Sequence, residues 1–174
     1  VWYNSTGDAL KYAIQSAGAW ASGGTMNHAT RQAMGAGIQT AALAIAGYNV
    51  PGTPGSSEHS AQWSEEYNGS AWTEQNQLNV KRYGGIGCGT QTAAITASGY
   101  NPGGYVPQAE EYNGTTWTEV ADVIAARTDT QGCGTQSAAM MFGGTPPTTR
   151  QSNEIWNGTS WAEENDLVAH AVGS

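Results

Sequence analysis

The chain has 174 residues, a formal net charge of −8 and only 11% charged residues, while Gly fills 24 positions and Tyr and Trp together outnumber the single Phe by 15 to one. That length suits one domain with a sizeable core, and the composition favours turns and half-buried aromatic strands over long helices. No apolar run of about 18 residues is present, which excludes a membrane-spanning helix, and the six Lys and Arg are scattered, which excludes the clustered cations of a nucleic-acid groove.

In chain order, VWYN and LKYAIQ read as two strands joined by the turn STGD, with AGAWAS as the next strand. The start also lacks the basic and apolar stretches of a signal peptide. A repeat then sets in. Trp72, Trp117 and Trp161 are 45 and 44 residues apart, and Trp20 lies 52 before Trp72, a period that corresponds to one propeller blade. Arg82 and Arg127 follow their Trp by ten residues, Arg31 follows Trp20 by eleven and His170 follows Trp161 by nine, so three Arg and one His are assigned to one slot at the start of a first strand.

Next come GAGIQTAALAIAG from Gly35, GCGTQTAAITASG from Gly87 and GCGTQSAAMMFGG from Gly132, with Gln39, Gln91 and Gln136 each eight residues before Gly47, Gly99 and Gly144. The fixed offset predicts a rigid small-apolar second strand. The segments after it, GYNVPGTPGSSEHSAQW, GYNPGGYVPQ and GTPPTTRQS, vary in length and read as exposed loops. EEYN or EIWN then forms a third strand and AWTE or TWTE a fourth, joined by Asn-Gly as a type I′ hairpin. The expected unit is a four-strand antiparallel meander.

The unit boundaries are 1–24 together with 167–174, then 25–76, 77–121 and 122–166, all within one domain of 1–174. DLVAHAVGS supplies the start of a first strand that completes the N-terminal unit, closing a ring with no unpaired edge there. A rival is one segment of a longer repeat array.

The combination resembles the kelch repeat: a basic residue in the first strand, an apolar strand ending in a diglycine matched fully by Gly143-Gly144 and in half by Ala46-Gly47 and Ser98-Gly99, then Tyr67 with Trp72, Tyr112 with Trp117, and Trp156 with Trp161. That resemblance covers about residues 17–174 and implies an all-β, kelch-like β-propeller of about four blades. GTQTAA followed by EEYNGTxWT, and the opening WYNSTGDALKY, are also similar to kelch-like arrays and a recurring hairpin in tail-fibre and structural proteins of bacteriophages, particularly marine ones. The implied setting is a virion, with other virion proteins as partners in multiple copies.

The chemistry-bearing residues each have a structural explanation. Asn68, Asn113 and Asn157 satisfy the glycosylation sequon, but the hairpin alone selects Asn-Gly. Cys88 and Cys133 occupy one repeat position and are expected as small buried thiols rather than a disulfide. His28, His59 and His170 lack metal-ligand spacing. Glu65-Glu66 and Glu110-Glu111 recur at one position, which fits an ion pair between the second acid and the repeated Arg better than paired catalytic carboxylates. No cofactor or metal is implied.

Tyr48, Trp63, Tyr100 and Tyr105, with Arg150, fall in the variable segments and are the ligand-contact candidates, because exposed aromatics on loops of a rigid scaffold suit sugar stacking or protein contact. The reading is a non-enzymatic virion module of a tail fibre, recognising a cell-surface glycan or protein on the host. The alternatives are a purely architectural capsid or appendage module and, from another class, a carbohydrate-active enzyme on a propeller.

Overall fold

The computed structural model describes residues 23–49, 60–146, 151–165 and 167, together with the backbone of 2–4 and 9–11. Among these residues every regular element is a strand, so the chain is all-β. The first two strands, β1 (Trp2–Asn4) and β2 (Ala9–Lys11), pair antiparallel with Trp2 opposite Lys11, the hairpin expected from VWYN and LKY. Trp20, Arg150, His59, His170 and Val168–Val172 lie outside the described residues, and with them the pairing of the C-terminal segment beside VWYN.

Three antiparallel meanders follow. The first contains β3 (Thr30–Arg31), β4 (Met34–Ile38), β5 (Ala41–Asn49), β6 (Ser60–Tyr67) and β7 (Trp72–Gln75). The second has β8 (Ile86–Gly89), β9 (Ala94–Ala97), β12 (Ala109–Tyr112) and β13 (Trp117–Val120), with a small ribbon of β10 (Tyr100–Asn101) and β11 (Gly104–Tyr105) between its middle strands. The third runs β14 (Gln131–Thr135), β15 (Ala138–Phe142), β16 (Asn153–Trp156) and β17 (Trp161–Glu164). Among the described residues each sheet is open, and none closes on itself.

The glycine-rich run is itself a hairpin whose first strand begins after the Arg slot, at Met34, Ile86 and Gln131. A strand at the slot itself, as expected, is present in the first unit as Thr30–Arg31 and is reduced to isolated bridges in the other two. Gly35, Gly87 and Gly132 sit in the first strands, and the fixed-offset glutamines stand in the turn that leads to the second. In the second and third units the glutamine amide reaches the preceding sheet, which fixes the spacing there. Gln91 Nε2 donates to the carbonyls of Ala42 and Tyr67 at 3.1 and 2.7 Å. Gln136 Nε2 repeats this on Ala94 and Tyr112 at 3.2 and 2.7 Å. The first strands pack against one another: a Cβ on Gly87 would lie 2.7 Å from the Gly35 carbonyl oxygen. Such an approach requires glycine.

The outer hairpins also differ from expectation. Tyr67 pairs with Trp72, Tyr112 with Trp117 and Trp156 with Trp161, so four residues intervene, not two. Only the glycines Gly69, Gly114 and Gly158 have positive φ. The Asn side chain does the remaining work: Asn113 Oδ1 accepts from the Thr115 and Thr116 amides at 3.0 and 2.9 Å, and Asn68 and Asn157 do likewise. This Asx geometry explains the Asn without a left-handed backbone.

Among the described residues two apolar cores lie between the sheets. Met34, Leu43 and Ile45 of the first meet Leu78, Tyr112 and Trp117 of the second; Ile86, Cys88 and Ile95 of the second meet Val123, Met141, Trp156 and Trp161 of the third. Each fully buried Leu or Ile contributes about 1.5–3 kcal/mol. The outward faces at either end are less covered. Tyr67 and Trp72 are only half-buried, whereas the equivalent Tyr112 and Trp117 are 0% and 6% exposed. Cys133, expected to be buried like Cys88, is exposed.

A buried ion pair anchors each of the last two units. Arg82 Nη2 donates to Glu110 Oε1 at 2.6 Å, and Arg127 Nη1 to Glu154 Oε1 at 2.6 Å. The acid is the first of the pair, which corrects the expected second. Only the first acid recurs in all three units, since Ile155 stands where Glu66 and Glu111 do. The second acid serves a neighbour instead: Glu66 accepts from the Tyr112 hydroxyl at 3.0 Å, and burial followed by this carboxylate pushes the phenol pKa well above its usual value.

In the first unit the Arg slot is offset by one residue. Asn27, Asn79 and Ile124 each present a backbone N–H to the acid, so three residues on, Thr30 aligns with Arg82 and Arg127. Glu65 is held by the amides of Asn27 and His28 at 2.8 and 2.9 Å, by Asn27 Nδ2 and by His28 Nδ1 at 3.2 Å. Arg31 is released to another task.

Candidate binding face

Arg31 pairs in register with Tyr48, Tyr83 bridges Tyr100, and Thr128 bridges Thr145. Residues 31, 83 and 128 occupy equivalent places in the three units, as do 48, 100 and 145, so these pairs form successive sectors of one surface. The first two sectors are aromatic and continuous. The Tyr48 and Tyr83 rings meet edge to face at 5.1 Å, Tyr83 and Tyr100 lie 5.8 Å apart, and Tyr100 meets Tyr105 edge to face at 5.2 Å. The Arg31 guanidinium lies 4.3 Å from the Tyr48 ring centroid. Perpendicular ring pairs at these distances are the favoured aromatic geometry, and the guanidinium is attracted by the ring face.

Beside the row lie Gln32, Gly84 and Asp129, again equivalent, all with φ between 54° and 68°. Gly84 donates its N–H to the Gln32 carbonyl at 3.2 Å, and Thr130 donates to the Gly84 carbonyl at 3.4 Å. Gln32 Nε2 donates to Asp129 Oδ1 at 2.9 Å, joining the first unit to the third. Tyr83 stands among these groups: its phenol pKa is raised by partial burial, then by Tyr100, Tyr48 and Asp129, with Arg31 opposing.

The sequence candidates therefore divide. Tyr48, Tyr100 and Tyr105 come together, and Tyr105 is 41% exposed. Trp63, expected on a loop, instead stands in β6, 6% exposed, stacked on His28 at 4.7 Å, with Nε1 donating to Asn49 Oδ1 at 3.3 Å. Strand β6 begins at Ser60, three residues earlier, so the long segment after Gly47 ends sooner than its composition suggested. Arg150 lies outside the described residues. The sequence reading missed Tyr83, Arg31, Gln32 and Asp129. Their signal was available: Tyr83 directly follows a repeated Arg, and the position after it holds three unlike residues in an otherwise regular repeat.

Among the described residues no group of three or more His, Cys, Asp and Glu is placed to hold a metal ion. Glu65, Glu110 and Glu154 are each committed to the anchors described above. No protein-family model matches the chain, and no curated protein matches it.

Proposed function

We propose that the chain is a non-enzymatic recognition module, a kelch-like β-propeller of four blades that serves in a phage virion as part of a tail fibre and binds the host surface. The observation that carries this reading is the tyrosine row with Arg31 at its end, because it gathers aromatic side chains on a face held by rigid meanders. Several copies per particle offset weak binding at each site.

The four-blade ring draws support from the two ends of the described sheets. The Gln32–Asp129 bond links the first unit to the third, a contact that suits units curving round a small ring. Leu167 donates its N–H to the Gln151 carbonyl at 2.8 Å, as Leu78 does to Gln62 and Val123 to Pro107. Yet Leu167 is 43% exposed where Leu78 and Val123 are 2% and 4%. Gln39, the equivalent of the two interlocking glutamines, is exposed as well. We place the fourth blade in residues 1–24 together with 167–174.

The test is adsorption. Fluorescently labelled protein is mixed with a panel of bacterial cells, and a binding strain is then challenged with the Tyr83→Ala/Tyr100→Ala double variant. Loss of adsorption with an unchanged melting curve is expected. Adsorption indifferent to these residues, or depolymerisation of a surface polysaccharide by pure protein, overturns the reading. The architectural alternative rests on the outward face of the third sheet, where Met140 is 36% exposed; it predicts stable copy-to-copy association and no adsorption.

A further inference from the structure

We propose that the tyrosine face takes a neutral saccharide, stacked on Tyr83 and held by two neighbouring hydroxyls donating to the Asp129–Gln32 pair. This rests on the recognition reading above and narrows it to one ligand chemistry.

The argument begins with backbone strain. At the position shared by Gln32, Gly84 and Asp129 the chain is left-handed, a region that disfavours any residue with a Cβ. Glycine meets that demand in the second unit. The other two units carry a side chain there and accept the strain, as Ala46 and Ser98 also do. Those two are buried in the fold, whereas Gln32 and Asp129 carry polar side chains on the surface, and strained residues that are not needed for packing are candidates for holding a ligand. Both residues are exposed and stand beside the aromatic row.

Their chemistry narrows the ligand. The single bond between them uses Gln32 Nε2 and Asp129 Oδ1, which leaves the second carboxylate oxygen and the amide oxygen to accept from neighbouring hydroxyls. Arg31 already occupies the Tyr48 ring face and supplies donors at the row's end. A cationic ligand finds the Tyr48 ring face already taken by Arg31. An anionic one meets Asp129 and a chain of net charge −8. An apolar peptide would cover the carboxylate without satisfying it. A neutral polyol with an apolar ring face meets none of these obstacles.

The experiment titrates the full chain with neutral hexose-terminated oligosaccharides, sialylated oligosaccharides and choline, followed by NMR shift changes and calorimetry. Neutral saccharides are expected to bind with little salt dependence. Tyr83→Ala is expected to weaken them at least about tenfold, the loss of one good contact. Asp129→Gly and Gln32→Gly are expected to weaken them similarly while the melting temperature holds or rises, because glycine relieves the left-handed strain. A merely structural Asp129 would instead lower the melting temperature and leave affinity unchanged, which sinks the proposal. So does binding of sialylated glycans or choline alone, or of no saccharide; if cell adsorption in that case still depends on Tyr83, the recognition reading survives without this ligand.

Discussion

The second and third sheets share one sequence pattern, yet one face is covered and its equivalent is not. In the second sheet Ile86, Cys88, Ile95 and Ala97 are 0–3% exposed against the third sheet. Their equivalents in the third, Gln131, Cys133, Met140 and Phe142, are exposed or half-buried. Glycine placement, hairpin register and Arg–Glu anchor are the same in both. Burial in this molecule is therefore decided by the next unit, since each sheet supplies only half of a core. The Cys88 thiol records the difference: burial pushes its pKa up to about 12.

The anchors should not distinguish the two sheets. Arg82→Met and Arg127→Met each strand a buried carboxylate, and each is expected to cost about 3–5 kcal/mol in urea unfolding. A much smaller loss at Arg127 would show that the third unit is loosened throughout, beyond its open face. Next in size, Ile95→Ala is expected to cost about 2–5 kcal/mol. If residues 1–22 complete the ring, Met140→Ala costs more than about 1 kcal/mol in the full chain and close to nothing in a chain lacking those residues; equal small losses in both chains break the closure. Trp117 Nε1 donates to Ser64 Oγ at 3.3 Å, whereas the next unit has Ala109 in place of Ser64 and the buried Trp161 Nε1 has no hydrogen-bond partner. Trp117→Phe is accordingly expected to cost about 1 kcal/mol more than Trp161→Phe, measured as a difference in unfolding midpoints.

Thiol chemistry gives the smallest energetic signal and the simplest readout. Cys88 should resist a disulfide reagent at pH 8 and react once urea is added. If residues 1–22 complete the ring, Cys133 should react faster in the shortened chain than in the full one; equal rates break the closure. The sign for Cys88 follows from its raised pKa: folding favours the neutral thiol, so its stabilising contribution is whole below the unfolded-state value and is lost as pH rises from about 9 toward 12. Stability that climbs over that window in the wild-type chain relative to Cys88→Ala would contradict this burial.

Local signals were legible where one residue type has one physical use. The glycine-flanked runs, the aromatic pair and Asn-Gly located all three meanders because positive φ and close strand approach have few solutions. What the sequence did not disclose was long-range. The Arg slot was read by counting from Trp, but Arg31 is displaced by one, and only the N–H donors to Glu65 reveal Thr30 as the true equivalent. Trp63 resembled a loop aromatic because its segment is rich in Ser and Gly, while its burial depends on His28, 35 residues earlier. Tyr48, Tyr100 and Tyr105 were legible by standing where the repeats disagree; Gln32 and Asp129 also break the repeat, at the position of Gly84, but two unlike polar side chains there do not show that the fold brings them together.

The turn glutamines carry a last implication, for how such a chain can grow. Gln91 and Gln136 grip main-chain carbonyls of the preceding sheet and no side chain. The grip therefore ignores which residues that sheet displays, provided its strands keep their length. A unit can be duplicated, exchanged or given a new variable segment without redesigning its neighbour's joint. Mutation is then free to work on the face built around Tyr83 while the couplings between units stay fixed.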